Sequence, residues 1–395
     1  RWTLWTIARD VVWTFYGRDT FTHSWCTAYC AFISLDYALT YSDIKLRKVC
    51  KSLITKMGRY IFLRLKLILL ALVWVFYSSP IKSQEEIMQE AFEIHAPSAR
   101  VKGSPGLMMY LKQDCDSKGI KGLRQRIVYT AMHEWAYFGF QVYDLTHTRD
   151  DNPDYVRQPW TRPVIEADEA IRVADAIAGY WSSTPDSQWI LERQNQYWKE
   201  RGAGSRWRNP WSAAFISWVI CESGVDELSR FKRAVAHHAY IDQAIVNREK
   251  DNKLGLYFAY DVGEETIQPG DLLCRGSRPN YNSLEDRKAQ LGVGARTHCD
   301  FVVKLDKDND RIMVIGGNVR AWVRLKLLPG DYSQDGKMIP APYDGRRVFA
   351  HLKLQANSVS DRVFEKSLPL LQPICGKSEI DIKGTTLEVL RSCFH

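Results

Sequence analysis

Near residue 250 the chain changes its period, and that switch limits the folds open to it. Before it, apolar residues recur at helical spacing over 123–140, ending near Gly139, over about 165–181 and 187–201, from Ser212 onward, and over 234–247. After it come short strand-like runs at 256–260, 271–275, 299–305, 311–315, 322–327 and 347–352. Turn-forming pieces such as Lys307-Asp308-Asn309-Asp310 separate them. Helices first and a small run of antiparallel strands second is an α+β layout. The stretch from Asp144 to Pro163, broken by Pro153, Pro159 and Pro163, reads as loop, and no internal repeat is present.

The formal charge of +8 raises nucleic acid as a partner, and its location excludes it. Residues 1–83 hold twelve Lys and Arg against four acids, whereas 84–395 hold 42 of each. A neutral body has no basic stripe to follow a phosphate backbone. The basic segment has another reading. From Met57 a positive start leads into the uncharged apolar run Leu67–Tyr77 and then Ser78, Ser79 and Pro80, the layout of a secretory signal peptide over 57–83. The run is too short for the roughly 20 residues of a membrane span. Cleavage would leave an exported protein, periplasmic or extracellular, with no stable span; an uncleaved N-terminal anchor is the rival. Residues 1–56 then read as a translated extension upstream of the natural start, or else as a real N-terminal domain. Residues 84–121 read as a linker with one short helix near 85–93, and 356–395 as a tail.

Six cysteines remain beyond the leader, an even number that permits disulfides in an exported chain, with Cys375 and Cys393 a plausible local pair. No Cys-x-x-Cys spacing argues for zinc, and His133-Glu134 lacks a second His at 137, which is Tyr. No cofactor or metal is implied; His237, His238 and His298 as metal ligands is a minor third reading.

The chemistry concentrates at Asn209-Pro-Trp-Ser-Ala-Ala-Phe-Ile-Ser-Trp218. Pro210 suits the first helical position and Asn209 the cap, which places Ser212 in the first turn. Free N–H groups and the positive end of the dipole there suit a nucleophile and an oxyanion. A serine has no useful ionised form at neutral pH, so a base must take its proton. His298, opening His-Cys-Asp-Phe-Val-Val, is the natural base. Strand alternation turns His298 and Asp300 to one face and Cys299 to the other, which makes Cys299 a core or disulfide residue. Asn318, after Gly316-Gly317, is the expected orienting partner of His298, with Asp300 the second choice. Trp211 and His237 are expected to shape a substrate groove, although His237 packing in the core is the plainer reading.

Six ordered stretches, Glu134–Gly139, Asn209–Trp218, Ala236–Ile241, Pro269–Gly276, His298–Asp300 and Ile315–Asn318, resemble a bacterial family catalogued as domain of unknown function 2272, over about residues 122–355. Trp211-Ser-Ala-Ala-Phe-Ile216, the Pro-Gly-Asp strand and the His-opening strand are similar more widely to CHAP and NlpC-type cell-wall amidases. That resemblance implies a papain-like fold and a hydrolase acting on peptidoglycan or a related acyl substrate. Ser212 stands where those enzymes carry a cysteine, His298 takes the place of the base and Asn318 that of the orienting residue. A non-catalytic wall-binding module on a degenerate amidase scaffold is the alternative. The sequence names no immunity or inhibitor protein.

Overall fold

The computed structural model describes residues 94–375, apart from 120, 158, 160 and 162–164. The expectations for 1–83, for a helix near 85–93 and for a Cys375–Cys393 pair concern residues or side chains outside that set. Two short strands, β1 (Val101–Lys102) and β2 (Met109–Tyr110), precede the first long helix, α1 (Leu123–Tyr137). Then follow β3 (Val142–Asp144), α2 (Ala167–Arg172), α3 (Ala174–Ser182), α4 (Gln188–Arg201), α5 (Ser212–Glu222) and α6 (His238–Glu249). The strand-rich half comprises β4 (Tyr257–Tyr260), β5 (Leu272–Arg278), a short α7 (Leu284–Lys288), β6 (Arg296–Asp306), β7 (Arg311–Val319), β8 (Trp322–Tyr332), β9 (Met338–Pro340) and β10 (Val348–Leu354), before α8 (Val363–Cys375).

The α+β class holds, but the sheet is neither small nor purely antiparallel. It has eight strands in the order β3-β8-β7-β6-β5-β10-β4, with β9 pairing β8 off that path. The β3–β8 pair is parallel, Val142 facing Leu325. That strand lies in the helical half of the sequence, three residues long, and its period was too brief to show there. Because β3 comes long before β8 in the chain, the intervening helices supply the crossover that a parallel pair requires.

The sheet is covered on both faces, which explains runs such as Phe301-Val-Val rather than strict alternation with polar residues. On one face Cys299, Phe301, Val303, Ile315 and Leu325 join the core built with α1, α3 and α5, around the fully buried Trp135, Trp181 and Trp218. On the other, Val302, Ile312, Val314 and Leu328 pack with Leu145 and Tyr343. Two glycines record how tightly the layers close. A Cβ on Gly317 would stand 2.5 Å from that of Phe215 on α5, and one on Gly316 would stand 1.9 Å from Asp300 Oδ1 on the opposite face. The Gly-Gly pair is therefore a requirement of packing.

The Pro269-Gly-Asp segment also has a structural task. Asp271 is buried and accepts from Arg124 Nη1 (2.6 Å), His351 Nε2 (2.8 Å), Gln268 N (2.9 Å) and Leu354 N (3.0 Å). This cluster ties α1 to β5 and β10; a buried charge is tolerated because every neighbour supplies a donor.

Two disulfides form among the described residues. Cys274 and Cys299 face each other across β5 and β6, and Cys115 joins Cys221 at the end of α5 across 106 residues. The segment expected to be a linker is thus fastened to the helical layer, where Arg100 Nε also donates to Ser182 Oγ at 2.8 Å. The segment expected to be a tail contributes α8, whose Phe364 ring lies 6.0 Å from Trp135. Neither contact carries a sequence motif. Among the described residues no helix is long and apolar enough to cross a membrane.

Candidate functional site

Helix α5 begins at Ser212 with Trp211 as its N-cap and no side chain capping it. Asn209 and Pro210 fall outside the helix, which starts two residues later than their residue types suggest. Among the described residues no side chain caps the first N–H groups of the helix, which have no intrahelical acceptor beside the Ser212 hydroxyl. Trp211 is not a groove wall. It is 2% exposed and packed between Phe138 (5.9 Å between rings) and Tyr180 (5.7 Å), so it fixes the helix start from within.

The imidazole against Ser212 belongs to His237: Oγ and Nε2 are 2.6 Å apart. Ser217, one turn and a half along α5, holds the strap that delivers it, since its Oγ accepts from the N–H of Ala234 at 3.1 Å. On the far side of the ring, Nδ1 meets the backbone N–H of Cys299 at 3.3 Å and the hydroxyl of Tyr240. A backbone N–H only donates, so Nδ1 carries the lone pair and the neutral ring carries its hydrogen on Nε2. Nε2–H then donates to Ser212 Oγ. His237 is 4% exposed, and burial, reinforced by the adjacent His298, holds its pKa well below that of a free imidazole. It is a neutral donor that fixes the serine oxygen, not a groove residue. The sequence signal was available in Ala-His-His-Ala-Tyr: residues 237 and 240 share a helical face.

His298 lies on the other side. Cys299 and Phe301 point into the core shared with α5, so alternation turns His298 and Asp300 to the opposite face. The rings of His237 and His298 nevertheless approach edge to face, 5.2 Å between centroids. No hydrogen bond joins Ser212 to His298 among the described residues. His298 Nε2 is 2.9 Å from Asp300 Oδ1, and Lys326 Nζ is 2.5 Å from Oδ2. Burial raises the Asp300 pKa, but His298 and Lys326 outweigh it and hold the carboxyl well below the usual range. Ionised, Asp300 only accepts; Nε2 of His298 therefore carries the hydrogen and Nδ1 the free lone pair. Burial lowers the His298 pKa despite the carboxylate, which keeps the ring neutral near pH 7.

Asn318 makes no hydrogen bond to His298; Asp300 fills that position. The reason is local geometry. The β7–β8 pairing shifts between Gly316 and Val319, and Asn318 adopts φ +55°, which turns it out of the ladder. It lines, with His298, a cavity of about 280 Å³ on this face of the sheet. The cavity is also lined by Arg206, Arg275, Arg320, Arg346 and Lys326 and, among the described residues, by no carboxylate. Its rim is the two-residue hairpin Arg320-Ala321, both with positive φ, a conformation unfavourable for residues other than Gly, Asn or Asp. Ser212 and His237 do not line the cavity.

The three histidines do not converge. His238 Nδ1 turns to the carbonyl of Ala295 at 3.2 Å, and among the described residues no cluster of three or more His, Cys, Asp or Glu is placed to hold a metal.

No curated protein and no solved structure matches the chain. Residues 169–353, which include Ser212, His237, His298, Asp300 and Asn318, match the family model described as an uncharacterized protein conserved in bacteria, domain of unknown function 2272.

Proposed function

We propose that this domain is an exported hydrolase that cleaves an amide or ester bond in peptidoglycan peptides or a related acyl substrate. The observation that carries the reading is the hydrogen bond at the start of α5: an N–H of His237 holds Ser212 Oγ beside uncapped helix N–H groups. A donor to Oγ favours the developing alkoxide, and it leaves the proton of Ser212 free to go to another base. The base in this reading is Nδ1 of His298, backed by Asp300, whose ring stands edge to face with that of His237. Oγ bonds to the acyl carbon as its proton passes to His298; the leaving amine or alcohol takes that proton as the C–N or C–O bond breaks. Water then releases the acyl group by the same route. The two disulfides support an oxidising compartment, in line with export. The resemblance of the Trp211–Ile216 stretch to cell-wall amidases supports peptidoglycan peptides as the substrate class.

Ser212→Ala and His298→Ala each abolish release of fragments from purified peptidoglycan while leaving the circular dichroism spectrum unchanged. Full activity in both variants sinks the proposal.

One observation favours the second reading, a non-catalytic wall-binding module: Ser212 is 8% exposed and lies off the cavity. That reading expects the chain to co-sediment with insoluble peptidoglycan equally well with and without Ser212→Ala, and to release nothing.

A further inference from the structure

The body of the chain is neutral, yet cations gather around one cavity. Five of its lining side chains are basic, and the cavity holds their charge without lining carboxylates. Two of the five are neutralised from behind: Lys326 by Asp300 at 2.5 Å, and Arg346 by Asp344 at 2.8 Å. The others are not. Arg206 and Arg275 make no side-chain hydrogen bond or ion pair among the described residues, and Arg320 is held only over the ring of Tyr143, at 5.7 Å. All three lie in a wall that also contains Tyr143 and Tyr343.

A further arginine stands beside this group. Arg324 lies two residues before Lys326 on β8, on the same face of the sheet, and is 8% exposed. Its Nε is buried with no hydrogen-bond partner, and no ion pair involves it among the described residues. Burial, and then the neighbouring Arg320, push its pKa down to about 10. A buried N–H without an acceptor is costly, and Arg324, outside the cavity lining, adds its positive charge to the field there. The strained Arg320-Ala321 hairpin presses that positive charge to the rim, and strain of this kind gathers at ligand sites.

We propose that this cavity is an oxyanion site, with Arg206, Arg275 and Arg320 binding the free carboxylates of an acidic peptide beside His298. The inference deepens the hydrolase reading by naming its substrate as anionic, but the binding itself requires no turnover. Planar guanidinium groups match a carboxylate with paired hydrogen bonds. The volume suits a side chain or a chain terminus rather than a polymer, in keeping with a chain whose body carries no net charge.

The test is calorimetric titration of the full chain with three probes at low salt: the peptide Ala-Glu-Ala with free carboxylates, its fully amidated form, and inorganic phosphate. The free peptide binds, amidation weakens it at least tenfold, and Arg206→Gln with Arg320→Gln does the same, while Arg208→Gln, which removes a charge stacked on Tyr197 instead, leaves affinity unchanged. Phosphate binding tighter than the peptide, and lost in the same double variant, supports the site and assigns its oxyanion to phosphate. No binding of either anion, or equal affinity in the double variant, overturns the proposal. Anion binding by a native chain that releases no wall fragment rejects the hydrolase and keeps the site; turnover of wall peptides without anion binding does the reverse.

Discussion

Ser212 receives a hydrogen bond from His237 rather than giving one to it. The direction follows from the other nitrogen of the ring, where the Cys299 N–H can only donate. This assigns the two histidines different tasks although their rings are 5.2 Å apart. His237 fixes the serine oxygen, and His298, carrying Asp300, has the free lone pair.

The division of labour separates two substitutions at one position. Gln at 237 keeps an N–H donor near Ser212 Oγ, whereas Ala does not. His237→Gln therefore retains measurable kcat, and His237→Ala loses on the order of a hundredfold, the usual effect of removing one donor to an oxyanion. Equal and complete loss in both variants would make His237 the base.

Acid acts on rate and stability through the same groups. A base works only while neutral, so kcat/KM is flat at neutral pH and falls below the ordinary imidazole value of about 6.5, with the slope of one proton. His237 and His298 have lowered pKa values in the folded chain, so the unfolded chain binds more protons below about 6.5. Their contribution is complete above that pH and is lost as pH falls. Asp300, held low by His298 and Lys326, adds a second loss below about 4, where the unfolded carboxyl takes up its proton. Melting temperatures between pH 8 and pH 3 check this; a rise in stability on acidification contradicts it.

Gly316 carries no Cβ because Asp300 occupies that space. Gly316→Ala places a methyl 1.9 Å from Oδ1 and 3.3 Å from His298 Nε2. The carboxylate must move, at a cost of about 1–3 kcal/mol of stability, and the His298–Asp300 pair is broken with it. Gly294→Ala, where a Cβ meets nothing within 4 Å, is the control and changes neither melting temperature nor kcat. Equal behaviour of the two variants refutes the packing argument.

Much of the fold was legible in the sequence because its strong signals are local. The helices near 123–137, 188–201, 212–222 and 238–249 and six of the strands follow from periodicity and turn residues. One expected helix over 165–181 is two, α2 and α3, parted at Val173. β3 was hidden because three residues hold too little period, and its partner β8 lies some 180 residues away. At the site, Ser212, His298 and Asp300 carry their chemistry in residue type and alternation. The role of His237 depends on which nitrogen meets Cys299, a contact across 62 residues that no spacing rule contains. Asn318 misled for a related reason: its position after a glycine pair suggests the end of a strand, whereas a register shift in β7 turns it away from His298.

The central claim is that Ser212 is a nucleophile served by His298, and it can be tested without knowing the substrate. A fluorophosphonate that phosphonylates only activated serines is incubated with the full chain, and the adduct is located by peptide mapping with mass spectrometry. The account predicts phosphonylation at Ser212 in the native chain and in His237→Gln, and none in His298→Ala. An unmodified Ser212 in the native chain, or labelling that survives His298→Ala undiminished, contradicts it.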